Sequence, residues 1–264
     1  MKSCFPNPHQ HHPQPHPHPH PHHHHHQATI SFLPDDLLLE CLSRVPTSTL
    51  PSIALVCRRW ALLLHSPAFY DLRRRHRLLQ QTLFAVSLTH TALHTATLRI
   101  GLDSSWKTSS FLPQQTFDAL ASPTPPVRLS AIGPKIYIIG RTAMIRCDTW
   151  TGIVSPKSPT IFPRKKFAAS VVGDKIFVAG GTARTSAVEE YDPQHDSWRV
   201  VSDAPRRRYG CIGAAVDGIF YVIGGLKIGS AGAEAPHMYA SSMDLYDVER
   251  REWMRSRGLP GEVA

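Results

Sequence analysis

The chain has 264 residues, room for one large or two modest domains at about 150 residues each. Lys and Arg outnumber Asp and Glu by 29 to 20, but without a dense basic block or aromatic interleaving, which argues against a dedicated nucleic-acid reader. The five cysteines, Cys4, Cys41, Cys57, Cys147 and Cys211, are odd in number and form no C-x-x-C pair, so reduced thiols in an intracellular compartment are expected rather than a disulfide scaffold or a cysteine zinc site. No apolar run approaches a membrane span and no secretory h-region opens the chain, so a soluble protein of cytoplasm or nucleus is expected.

Residues 1–27 hold 11 of the 17 histidines and seven prolines, with Pro-His alternation and then His22 to His26. Such a segment has almost nothing to bury and is expected to be a disordered leader, with weak chelation of nickel or zinc as the alternative reading. From residue 28 to about 80 the pattern becomes Leu-rich and helical. Pro34, Asp35 and Asp36 suit a first helical turn, Leu38, Cys41, Leu42 and Val45 share one face, and Pro46 stops the helix. Thr47-Ser48-Thr49 offers a cap for a second helix from Leu50 to Val56, and a third runs from Arg58 to His65, before Ser66-Pro67. Leu33, Pro34, Leu37, Leu39, Leu55, Val56 and Trp60 are more apolar surface than three short helices can hide, so part of it is expected to await a partner.

The run Leu33-Pro34-Asp35-Asp36-Leu37, the apolar positions to Val45, and Leu55-Val56-Cys57-Arg58-Arg59-Trp60 followed by Phe69 resemble an F-box. The family docks a receptor onto a Skp-type adaptor of a cullin ubiquitin ligase. The resemblance implies an adaptor contact at Leu33, Pro34, Leu37, Val56, Cys57 and Trp60. Cys57 beside two arginines could be a reactive thiol, but a small buried contact is the expected role. Arg73-Arg74-Arg75 with Arg77 could serve nuclear import, although a solvated helix end is the plainer reading.

From about residue 125 short apolar runs replace the helical period. Lys135-Ile136-Tyr137-Ile138-Ile139-Gly140, Lys175 through Gly180-Gly181 and Ile219 through Gly224-Gly225 form an internal repeat. After the second and third runs, Tyr191 and Tyr246 each precede a tryptophan, Trp198 and Trp253, by seven positions. Such runs suit strands buried on both faces, the glycines allow close backbone approach, and Tyr and Trp can fill the wedge between sheets. Each sheet keeps an apolar face that only a neighbour can cover, which a radial array of blades provides.

Gly-Gly followed by Tyr-x₆-Trp resembles the kelch repeat, which builds β-propellers. The pattern is intact over 163–205 and 206–264. Over 125–162 Arg141 stands for the second glycine and Val154 for the tryptophan. Over 82–124 it is degenerate, with Trp106 a candidate blade-closing residue and a linker hairpin the alternative. Residues 228–239 read as a Gly/Ala-rich insertion on a propeller rim. The fold expected is therefore a multidomain α plus all-β chain, in which a three-helix F-box-like module precedes a kelch-type propeller that is incomplete or of four blades. A truncated gene product is one expectation from that count.

No nucleophile elbow, zincin helix or phosphate loop occurs, so no catalytic residue, metal or cofactor is expected. His90 and His94 read as surface residues. Arg164-Lys165-Lys166 and Arg206-Arg207-Arg208 open equivalent repeats and could gather on one face, favouring an acidic or phosphorylated partner. Together the two resemblances imply a non-catalytic substrate receptor of an SCF ubiquitin ligase, with partners in the Skp-type adaptor, cullin and RING subunits and a target protein, and none in membrane or specific nucleic acid. The alternatives are a non-degradative binding module that competes for the adaptor and, remotely, a propeller copper oxidase, whose Tyr/His/Cys ligand set is not evident.

Overall fold

The computed structural model describes residues 30–89, 93–111, 127–227 and 241–258. The His/Pro leader, the insertion read at 228–239, His90 and the last six residues lie outside the described residues.

A short 3-10 turn, Ile30–Phe32, leads into α1 (Asp35–Ser43), and a second, Thr47–Thr49, into α2 (Leu50–Ala54). These are followed by α3 (Arg58–Leu64) and α4 (Pro67–Arg75). The module thus has four α-helices, not the three expected. Ser66-Pro67, read as an end, is a start: Ser66 Oγ accepts from the Phe69 N–H at 3.2 Å and Pro67 takes a first-turn position, where its missing N–H costs nothing. Thr47-Ser48-Thr49 likewise forms a turn rather than a side-chain cap. Leu38 and Leu42, one turn apart on α1, pack with Leu50, Ala54, Leu64 and Phe69 into the core of the module.

The Arg73 to Arg77 run is not a uniformly solvated end. Arg73 is buried, donates to the carbonyls of Ser43 (3.1 Å) and Val45 (2.8 Å) and to Thr47 Oγ1 (2.7 Å), and lies over the rings of Phe69 and Trp150. It ties the α1–α2 connection to α4.

A three-stranded antiparallel sheet follows, β1 (Thr82–Leu88), β2 (Leu93–Arg99) and β3 (Lys107–Phe111). Three four-stranded antiparallel sheets complete the described chain. The first holds β4 (Arg128–Ile132), β5 (Lys135–Ile139), β6 (Met144–Asp148) and β7 (Val154–Lys157) in sequence order. The second holds β8 (Ala168–Val172), β9 (Lys175–Ala179), β10 (Ala187–Asp192) and β11 (Ser197–Asp203). A two-residue ladder of β12 (Arg208–Tyr209) with β15 (Leu226–Lys227) flanks the third, whose order is β13 (Ile212–Val216), β14 (Ile219–Ile223), β16 (Ser242–Asp247) and β17 (Glu252–Gly258).

These sheets are kelch-type blades, and period-2 alternation explains how they stack. Along β9, Ile176 and Val178 point to the preceding blade, where they meet Tyr137 and Ile139, while Phe177 and Ala179 point to the next, where they meet Phe220 and Val222. The β1–β3 sheet packs on the first blade in the same way, through Leu93, Phe84 and Val86 against Ile138 and Ile145. Register is common to all three blades: Cys147 faces Val154, Tyr191 faces Trp198 and Tyr246 faces Trp253 across the two outer strands. Each Tyr–Trp pair has ring centroids about one ring-width apart, 5.0 and 5.1 Å. Trp106, the candidate blade-closing residue, is exposed instead.

Gly181 shows why the repeat needs its glycine pair. Its φ is +76°, and a Cβ there would stand 2.6 Å from Phe167 Cβ and 2.8 Å from the Lys165 carbonyl oxygen. The arginines that open two repeats are corrected by the structure. Arg164 and Arg208 are buried, and each donates through Nε to an acid two positions before the repeat tyrosine, Glu189 at 2.7 Å and Asp244 at 2.8 Å. Each also donates to a glycine carbonyl, of Gly180 or Gly224, at 2.7 Å. They are internal struts, not surface charge.

Candidate adaptor-binding site

The beginning of α1 and the turn before α3 are 20 residues or more apart in sequence, and one side chain joins them. Arg59 donates through Nε to Asp35 Oδ1 at 2.8 Å and through Nη2 to the Leu33 carbonyl at 2.5 Å. Leu33, Pro34 and Leu37 are thereby brought to the same end of the module as Val56 and Cys57. The apolar side chains at this end are left in solvent: Phe32 is 82%, Leu55 83% and Val56 60% exposed, with Ile30 and Leu37 about half exposed. Solitary exposed leucines need no explanation, but five large apolar side chains on two joined segments of a module with only six buried core residues mark a surface for a partner.

The predicted residues divide. Pro34, Leu37, Val56 and Cys57 are exposed at this edge, and Leu33 is half-buried. Trp60 is half-buried against the module's own core, so its ring helps fix α3 as well as bordering the edge. Cys57 is not the small buried contact expected. It is exposed, and its Sγ caps α3 by accepting from the Trp60 N–H at 3.5 Å. Arg59 and Phe32 were not singled out in the sequence, and Leu55 was read there only as part of the motif run and the apolar surplus. Arg59 was hidden because its motif position says nothing of the acid 24 residues earlier that it meets.

The opposite side of the module is closed by the first four-stranded blade. Trp150, in the β6–β7 turn, meets Phe69 edge-on (centroids 5.5 Å) and stacks on Tyr70 (5.9 Å). His65 Nδ1 lies 2.9 Å from Asp148 Oδ2, and Lys135 Nζ donates to the His65 carbonyl at 3.2 Å. Burial pushes the Asp148 carboxyl up, but the His65 hydrogen bond and the Thr151 and Trp150 N–H groups hold it below its ordinary value. Burial lowers the Lys135 ammonium. Among the described residues no three His, Cys, Asp or Glu side chains gather as a metal site, and no helix is long and apolar enough to cross a membrane. His94 meets Ser110 Oγ at 2.8 Å on the surface of the β1–β3 sheet.

Residues 30–72 match the family model of the F-box domain, and residues 163–205 that of the kelch motif. An F-box/kelch-repeat protein of Arabidopsis thaliana is 52% identical over 270 aligned residues, covering 99% of this chain and 65% of its own length. The chain belongs to the F-box/kelch-repeat family. A second Arabidopsis thaliana F-box/kelch-repeat protein is 25% identical, over 85% of this chain and 61% of its own length. This F-box/kelch chain therefore spans somewhat under two thirds of the relatives it matches. A solved structure, "Structure of YjhT", overlaps with a TM-score of 0.43 at 19% identity, over 53% of each chain. Neither matched family, F-box domain or kelch motif, is a catalytic one.

Proposed function

We propose that this F-box/kelch protein is a substrate receptor of an SCF-type ubiquitin ligase, acting in cytoplasm or nucleus. The apolar edge formed by Phe32, Leu37, Leu55 and Val56 would seat on a Skp-type adaptor, and through it on cullin and RING subunits. The blades would hold a target protein for ubiquitination by a separate enzyme. The chain would perform no bond chemistry; it raises the effective concentration of target lysines at the ligase. The observation that carries this reading is the exposed apolar edge itself, held open by Arg59 while the other side of the module is sealed by Trp150 and His65.

The test is co-purification of the full chain with a recombinant Skp-type adaptor, read by size-exclusion chromatography with light scattering. A one-to-one complex is expected. Burial of one large apolar side chain contributes about 1.5–3 kcal/mol, so Leu55→Asp together with Val56→Asp should weaken the complex by at least about a hundredfold without changing the circular dichroism. Unchanged binding by that variant would overturn the assignment of the edge.

A further inference from the structure

The two faces of the blade array carry opposite charge. The face opposite the F-box module includes the loops 140–143, 158–167, 180–186 and 204–211, which hold eight Lys or Arg residues and no Asp or Glu; the exposed acid beside them is Asp203, at the end of β11, which accepts from Ser186 Oγ at 2.9 Å. The turns on the module's side carry Asp174, Asp192, Asp196, Asp217 and Asp247 at their tips or flanking strand ends. There Lys175 pairs with Glu190 (2.7 Å) and Arg250 with Asp247 (3.3 Å), while Arg251 is exposed.

On the basic face, Arg164 and Arg208 are consumed by Glu189 and Asp244 inside the blades, and Arg206 is half-buried beside Asp244 at 3.5 Å. Arg141, Lys165, Lys166, Arg184 and Arg207 remain exposed, and none makes an ion pair with a described residue. Three of the loops are stitched into one surface. The Lys165 N–H donates to the Gly181 carbonyl, the Gly181 N–H to the Arg208 carbonyl and the Gly210 N–H to the Lys166 carbonyl, all at 2.8–2.9 Å. Arg207 Nη1 reaches the Ala183 carbonyl at 3.4 Å, and Lys166 Nζ lies over the Tyr209 ring. Arg141 stands where the other repeats have their second glycine, so the departure that weakens the repeat pattern adds a cation to this face.

An ordinary solvated surface mixes its signs, and unmatched like charges repel one another. Within the same two sequence runs the fold has neutralised the arginines it buries and left the outer cations unmatched. We infer that this face binds a carboxylate-rich, Asp/Glu-containing segment of a target protein. The inference rests on the receptor reading above and names the chemistry of its target. A single phosphate is favoured by a tight arginine fork, whereas these cations are spread along loops of adjacent blades, as an extended run of carboxylates would need. A nucleic-acid strand calls for exposed aromatic platforms between the cations, and here Phe167 is buried, Phe162 is half-buried and Tyr209 lies beneath Lys166.

The test uses the full chain and a fluorescent peptide of about 16 residues rich in Glu and Asp, followed by anisotropy across a salt series. Saturable, salt-sensitive binding of this peptide is expected, with none of its Gln/Asn counterpart. The variant K165E/K166E/R184E/R207E should lose binding by about tenfold or more. If that variant does not fold, K165Q/K166Q and R207Q, changed at exposed positions, should each show a graded loss at unchanged Tm. Equal binding of the acidic and neutral peptides, or full binding by the folded variants, overturns the proposal. So does tighter binding, at matched salt, of a singly phosphorylated peptide or of single-stranded RNA. Adaptor co-purification is measured in parallel on the same samples. Its failure would remove the ligase reading and leave the acidic-segment result standing, and the reverse outcome would do the opposite.

Discussion

Glu189→Ala should collapse the central blade. Glu189 Oε1 accepts from Arg164 Nε at 2.7 Å and Nη2 at 2.6 Å, and Oε2 accepts from the Ile161 N–H at 2.5 Å. Both side chains of the pair are fully buried, and burial already presses the Arg164 guanidinium down from its ordinary value against the pull of Glu189. Removing the acid leaves a buried cation without its counter-charge, which costs about 3–5 kcal/mol, and an N–H without an acceptor, about 1–3 kcal/mol. The sum, about 4–8 kcal/mol, is comparable with the whole stability of a typical domain. Urea unfolding by circular dichroism, with hydrogen exchange of peptides from 161–205, should show this blade opening first. The matched variant Arg164→Met with Glu189→Leu removes both charges and should be less destabilised than Glu189→Ala. A loss below about 1 kcal/mol for Glu189→Ala, or a double variant that is worse than the single one, would refute the strut argument.

Gly181→Ala should aggregate or unfold the last two blades because its Cβ would collide with Phe167 and the Lys165 carbonyl at a φ of +76°; adaptor binding by the surviving helical module would show the damage to be local. Native alkylation followed by peptide mass spectrometry should label Cys41 and Cys57, which are exposed, and spare Cys147 and Cys211, which are buried. Burial pushes the Cys147 thiol up to about 11, so while it stays buried it offers little thiolate at neutral pH. At the seam between module and blade, the depressed Asp148 carboxyl contributes stability above its unfolded-state value that is lost as pH falls through its lower native value. Hydrogen exchange at 65–70 and 148–153 should therefore stay slow at neutral pH and quicken only on acidification below about pH 4; loosening near neutrality would contradict the sign.

The blades were legible because their constraints are local and repeated. Ile176, Phe177, Val178 and the glycines at 180 and 181 announce a strand end buried on both faces whatever surrounds them, and Tyr191 and Trp198 are paired by hairpin register alone. Long-range electrostatics left no such mark. Arg164 and Arg207 read alike as members of basic runs, yet one meets an acid 25 residues away inside a blade and the other stays in solvent. Ser66-Pro67 is equally ambiguous, since the same pair ends one helix and begins another. At the exposed apolar edge the motif residues were visible, but Cys57 caps α3 and Trp60 packs on the module's own core. Trp150 escaped because the repeat alignment looked for a tryptophan at position 154, on the strand rather than in the turn.

That turn decides how the two parts act together. A helical module tethered only through residues 76–81 would sample many orientations, and any target held on the blades would be spread over a correspondingly large volume. Trp150 instead lies between Phe69, Tyr70 and Arg73, with the hydrogen bond between His65 and Asp148 beside it. Aromatic contacts of this kind contribute about 0.5–1.5 kcal/mol each beyond their buried area, enough in combination to hold one arrangement against the freedom of a short linker. The apolar edge at Leu55 and the basic loops at Lys165 and Arg207 then lie on units in fixed relation, with the seam between them. In the receptor reading, the target's distance from the ligase is set by packed side chains rather than by the length of a chain segment.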